Sequence, residues 1–237
     1  MAEMEKIVWV TGASSGIGKE IASEFARECY NVAASARRST EIEKLNMELC
    51  KEGFSINSLK CDISSMAEVQ EAYKKIEKTG QVDCLVNNAG VTTFKFAEEN
   101  SFEEIKEIVE TNLLGALYCI KSVLPDMIKK RSGTIINILS VAAEQVLTGS
   151  SAYSASKAGL LAYTNVLREE VRKNNIRVIN ILPGATITPM WPPDVLEKHS
   201  EQMMSPAEIA KLVVSLYTNK SNMVAEKIIV KPITGDL

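Results

Sequence analysis

The chain has 237 residues, 46% hydrophobic and 24% charged, which is enough for one large soluble domain, residues 1–237, with a single core. A net charge of −3 excludes a general attraction to nucleic acid or anionic lipid, so any anion site must be local. No apolar run approaches the length of a membrane span, and the charged residues 1–6 lack the apolar stretch of a signal peptide; a cytoplasmic protein with no nucleic-acid or membrane partner is expected.

Apolar, β-branched runs recur at 7–10, 32–35, 55–59, 82–86, 134–139, 177–182 and 227–230, with segments of helical period between them. That alternation predicts a parallel sheet covered by helices on both faces. Helix starts are marked by Thr40 with Glu43, Ser65 with Glu68, Ser101 with Glu104, and Ser205-Pro206 with Glu208, each at capping-box spacing. The five cysteines, Cys29, Cys50, Cys61, Cys84 and Cys119, form no C-x-x-C pair and read as reduced core residues. With His199 as the single histidine, a metal site is not expected.

Where the first strand stops, Thr11-Gly12-Ala13-Ser14-Ser15-Gly16-Ile17-Gly18 leads into a helical pattern. Glycines permit a tight turn and let an anion approach bare N–H groups at a helix N-terminus, so the loop reads either as a phosphate cradle or as a turn made glycine-rich for packing alone. A nucleotide-hydrolase P-loop does not fit, because Ala13 stands at the turn glycine and Glu20 at the magnesium-binding hydroxyl. Further on, Tyr153 and Lys157 are four residues apart, on one helix face. A cation there favours the phenolate and is expected to lower the tyrosine pKa, making Tyr153 an acid/base and Lys157 its tuner; the bland reading is a chance pair on an exposed helix.

Taken with Asn87-Asn88-Ala89-Gly90, Ser140 and Pro183-Gly184-x-x-x-Thr188, these motifs resemble the short-chain dehydrogenase/reductase family, from the first strand to about Thr188. The resemblance implies a Rossmann-like, doubly wound α/β fold of about seven parallel strands and reversible hydride transfer between a nicotinamide cofactor and a carbonyl or alcohol. It implies that Ser140 hydrogen-bonds the carbonyl oxygen, Tyr153 protonates it, Lys157 holds the nicotinamide ribose, and Asn112 anchors a water linking Lys157 to solvent. For the cofactor it implies Gly12, Ser14, Ser15, Gly16, Ile17 and Gly18 around the pyrophosphate, and Asp62 and Ile63 at the adenine. Asn88, Ala89 and Gly90 would lie near the adenosine ribose, and Pro183, Gly184, Ile187 and Thr188 at the carboxamide end.

The second strand ends in Arg37-Arg38 with no carboxylate, which favours the 2′-phosphate of NADP(H) over a bare ribose, although Ser15 stands where many NADP-preferring relatives carry a basic residue. NADPH-dependent reduction of a ketone or aldehyde is the expected activity; a non-catalytic NADP-binding sensor or scaffold is the alternative. Residues 189–204, with Met190, Trp191, Met203 and Met204, are expected to form a short substrate lid facing Val141, Gln145 and Val146, with His199 as an exposed helix residue. The cationic run Lys129-Lys130-Arg131 could meet an acidic acyl carrier or simply complement a helix C-terminus. A homodimer or homotetramer is expected from the resemblance, through helices at 101–131 and 153–174; Leu113, Leu114, Leu117, Leu160, Leu161 and Val171 could serve that contact or the core.

Overall fold

The computed structural model describes residues 5–219 and 221–235; of the charged lead-in, Met1 to Met4 lie outside the described residues. Seven strands, β1 (Lys6–Thr11), β2 (Asn31–Ala36), β3 (Asn57–Lys60), β4 (Gln81–Asn87), β5 (Gly133–Ile138), β6 (Ile176–Pro183) and β7 (Lys227–Val230), form one sheet in the order β3-β2-β1-β4-β5-β6-β7. Every pairing is parallel. Between them run α1 (Gly16–Arg27), α2 (Ser39–Lys51), α3 (Met66–Glu77), α4 (Phe102–Val109), α5 (Ala116–Lys130), α6 (Ser151–Val171), α7 (Pro193–His199) and α8 (Pro206–Thr218). Among the described residues no helix is long and apolar enough to cross a membrane.

Side chains alternate across a strand, and here both faces are apolar. In β1, Val8 and Val10 join a core with Ile21 and Phe25 of α1, Ile42 and Leu49 of α2, and Ile209 and Val213 of α8. Ile7 and Trp9 point the other way, into a core with Val69 of α3, Ile120 of α5 and Leu167 of α6. Val171 is buried in the second of these cores, and Leu160 and Leu161 in a third cluster with Ala116, Leu139 and Leu182. Burial on both faces is why the strands read as continuous apolar runs.

One polar line crosses this sheet. Asn87, Asn137 and Asn180 stand in register on β4, β5 and β6. Asn87 Nδ2 donates to Asn137 Oδ1 (2.9 Å), Asn137 Nδ2 donates to Asn180 Oδ1 (3.0 Å), and Thr164 Oγ1 of α6 donates to the same oxygen (3.1 Å). This ladder ties the central strands to the helix that carries Tyr153, although Asn87 Oδ1 stays buried without a partner among the described residues.

The helix starts follow their caps with two corrections. Ser101 and Ser205 close full capping boxes with Glu104 and Glu208. At Ser65 only half the box forms: Ser65 Oγ accepts from Glu68 N–H, while the Glu68 carboxylate accepts from Asp62 N–H instead. Thr40 caps nothing, because β2 runs to Ala36 and α2 starts at Ser39 with Arg38 as its uncapped N-cap residue. The cysteines are also corrected: Cys61, Cys84 and Cys119 are buried, but Cys29 and Cys50 are exposed at helix ends.

Candidate active site

The sheet order reverses between β1 and β4, so the loops after these strands diverge and leave a crevice at their carboxyl ends. Thr11 pins the two loops together. Its hydroxyl accepts from Asn88 N–H (3.1 Å) and Ala89 N–H (3.2 Å), and Asn88 Nδ2 donates to the carbonyls of Thr11 and Gly12. Gly12 and Gly16 have positive φ (+67° and +55°), and a Cβ on Gly12 would stand 2.6 Å from Ala89 Cα. Ser15 makes no side-chain cap on α1, so the first-turn N–H groups of α1 remain available where Ser15, Gly16 and Ile17 line the crevice.

At the other end, α6 presents Tyr153 and Lys157. The Tyr153 hydroxyl interacts with the Ser140 side chain, which follows β5, and the Lys157 ammonium lies 5.7 Å from the Tyr153 ring centroid. Lys157 is buried, and its Nζ donates to the Ile138 carbonyl (2.9 Å). Burial brings the Lys157 ammonium down to about 8. Burial also pushes the Tyr153 phenol above its ordinary range, and the interaction with Ser140 offsets only part of this. The expected lowering of Tyr153 is therefore corrected: desolvation sets the direction, and the Lys157 ammonium is turned to the Ile138 carbonyl.

Asn112 is engaged within the protein through its side-chain amide. It sits in a π-helical turn, residues 110–115, between α4 and α5, and is 1% exposed. Its Oδ1 accepts from Val91 N–H (2.8 Å), and its Nδ2 donates to Val91 O (2.8 Å) and Ser156 Oγ (3.1 Å). Both amide donors are occupied, so Asn112 is a clamp joining the loop after β4 to α6.

These groups surround one cavity of about 1090 Å³. Gly12, Ser14, Ser15, Gly16, Ile17, Arg37, Arg38, Asp62, Ile63, Asn88, Ala89, Gly90, Ser140, Tyr153, Lys157, Pro183, Gly184 and Thr188 all line it. Gly18, Ile187 and Asn112 do not. Gly18 lies beneath the loop, where a Cβ would come within 2.3 Å of Asn88 Nδ2, and Ile187 N–H donates to Met204 O (3.0 Å). Asp62 Oδ1 accepts from both Ser64 N–H and Ser64 Oγ, leaving Oδ2 for a ligand.

The segment at 189–204 contributes Pro189, Met190, Trp191, Val195 and His199 to the cavity, which Val141 and Val146 also line; Met203 and Met204 pack inward instead. His199 is corrected from exposed to part-buried, with Nδ1 enclosed and unpartnered among the described residues. Trp191 stacks on Phe94 (centroids 4.9 Å apart, planes at 17°) and donates from Nε1 to Thr186 O. Thr11, Phe94 and the Asn137–Asn180 pair were missed by the sequence reading; for Thr11 alone, its place in the glycine motif was a signal.

Residues 6–198 match the family model described as short chain dehydrogenase. The chain belongs to the short-chain dehydrogenase family. It is 37% identical to the sepiapterin reductase of Chlorobaculum tepidum, over 99% of both chains, and 34% identical to a 3-oxoacyl-(acyl-carrier-protein) reductase of Staphylococcus aureus, over 88% of this chain and 85% of that one. Among solved structures it resembles an alcohol dehydrogenase from Thermococcus sibiricus complexed with 5-hydroxy-NADP (TM-score 0.87, 30% identity, 97% of each chain). It also resembles an actinorhodin polyketide ketoreductase with NADPH (TM-score 0.88, 30% identity, 96% of each chain). This short-chain dehydrogenase is thus an oxidoreductase, and its cavity suits a nicotinamide dinucleotide: open helix N–H groups for a pyrophosphate, and two arginines for a further phosphate.

Proposed function

We propose that the protein reduces a ketone or aldehyde to an alcohol with NADPH. The carrying observation is that Ser140, Tyr153 and buried Lys157 line the same cavity as Arg37 and Arg38. When bound, the cofactor supplies the hydride. Gly12, Ser14, Ser15, Gly16 and Ile17 would hold its pyrophosphate, Arg37 and Arg38 its 2′-phosphate, Asp62 and Ile63 the adenine, Asn88 to Gly90 the adenosine ribose, and Pro183, Gly184 and Thr188 the carboxamide end. Ser140 and Tyr153 donate hydrogen bonds to the carbonyl oxygen, where negative charge grows, and Tyr153 then releases its phenolic proton to that oxygen. A raised phenol pKa keeps this proton in place until charge develops beside it. Lys157 supplies positive charge next to the phenolate that remains.

We further propose a compact carbonyl compound on a flat ring, covered by 189–204 as a lid. The aromatic wall that stacked Phe94 and Trp191 give the cavity supports this, as does the similarity to a sepiapterin reductase. An acyl carrier is less well served, since Lys130 is engaged by Asp83 and Val82 O, and Arg131 by Lys173 O. A single domain at 1–237, a cytoplasmic location and assembly into a homodimer or homotetramer belong to the same proposal; exposed Phe102 and Val166 on α4 and α6 favour assembly. The test is NADPH oxidation over a panel of planar and aliphatic ketones. Turnover must vanish in Tyr153→Phe, and undiminished turnover there would overturn the mechanism.

A further inference from the structure

The cation proposed to read the 2′-phosphate already has an anionic partner. Arg37 Nη1 lies 3.2 Å from Glu107 Oε1, across 70 residues of sequence, and both side chains are about half exposed (53% and 55%). Arg37 lines the cavity just past β2, whereas Glu107 stands on α4 and does not line it. Nearby acids are committed elsewhere: Glu104 pairs with Lys95 and Glu110 with Lys106. Arg38 attracts Glu41 at longer range. One guanidinium therefore faces two anions whenever a phosphorylated cofactor is bound.

We propose that Glu107 is an internal competitor for Arg37 and so a determinant of the preference between NADPH and NADH; this rests on Arg37 reading the 2′-phosphate. A carboxylate and a phosphate on one guanidinium repel each other, so Glu107 weakens the phosphorylated cofactor. The unphosphorylated cofactor leaves the pair intact and is indifferent to it. Because the pair is half-exposed, its leverage is small and sensitive to salt.

The experiment measures NADPH and NADH dissociation constants by tryptophan fluorescence quenching for the full chain and for Glu107→Gln, Arg37→Met and the double variant, at low and high salt. Glu107→Gln should tighten NADPH about two- to fivefold at low salt and leave NADH unchanged. The gain should shrink at high salt and vanish in the Arg37→Met background. Unchanged or weaker NADPH binding in Glu107→Gln overturns the competitor role, as does a gain that persists without Arg37. If Arg37→Met alone preserves the NADPH-to-NADH ratio, the phosphate reading itself fails and the proposal falls with it.

Discussion

Replacing Asn112 with alanine separates a structural clamp from a proton-supply role. The substitution removes three hydrogen bonds, two to the Val91 backbone and one to Ser156 Oγ. Val91 is only part-buried, so water can reach its freed groups, and Ser156 keeps its bond to Tyr153 O. At about 0.7 kcal/mol for each bond, and about 1 kcal/mol for the small void left by a 1% exposed side chain, the loss is about 3 kcal/mol in all. For a domain of this size, that lowers Tm by about 6–12 °C. The loop after β4 and the helix carrying Tyr153 also lose their tether, so NADPH binding should weaken along with kcat. Calorimetry of the cofactor-free variant, NADPH titration and steady-state turnover are the assays. A Tm within about 2 °C of the parent, with kcat down more than about tenfold and NADPH binding intact, would refute the clamp.

Three further outcomes are expected. Burial holds folded Lys157 near 8 against an ordinary 10.5, so the charged form is penalised in the fold; the penalty is fully present below about pH 8 and fades as pH rises toward 10.5. Lys157→Met should thus stabilise the cofactor-free protein by about 2 kcal/mol at neutral pH, allowing for the lost bond to Ile138 O, while abolishing turnover; thermal melts from neutral to alkaline pH check that the gain disappears by pH 10.5. Gly18→Ala places a methyl 2.3 Å from Asn88 Nδ2 and 2.4 Å from Gly12 O and should cost about 1–3 kcal/mol in urea unfolding, with weaker NADPH binding. Trp191→Ala removes the stack on Phe94 and should raise KM for planar ketones about two- to tenfold, sparing small aliphatic ones in the same NADPH-oxidation assay.

The sheet was legible because parallel strands covered on both faces leave unbroken apolar runs; Lys227–Val230 is found where the sequence placed it, and the others shift by a residue or two. What escaped is what pairing creates. Asn137 and Asn180 look like interruptions in apolar strands until register sets them beside Asn87. Likewise Asn112 meets Val91, Phe94 meets Trp191 and Arg37 meets Glu107 through contacts between separate elements, which local periodicity does not encode.

The reversed shift at Tyr153 has the same origin. Spacing of four residues puts Tyr153 and Lys157 on one face, but it does not say where the ammonium goes; here it turns to the Ile138 carbonyl. Nor does spacing report burial, which pushes the phenol up and the ammonium down and so shifts both groups toward their neutral forms. A site with these preferences resists charge until a ligand brings compensating charge or dipoles into it. That resistance costs stability in the cofactor-free protein, which is why removing Lys157 should make the fold stronger while ending its chemistry.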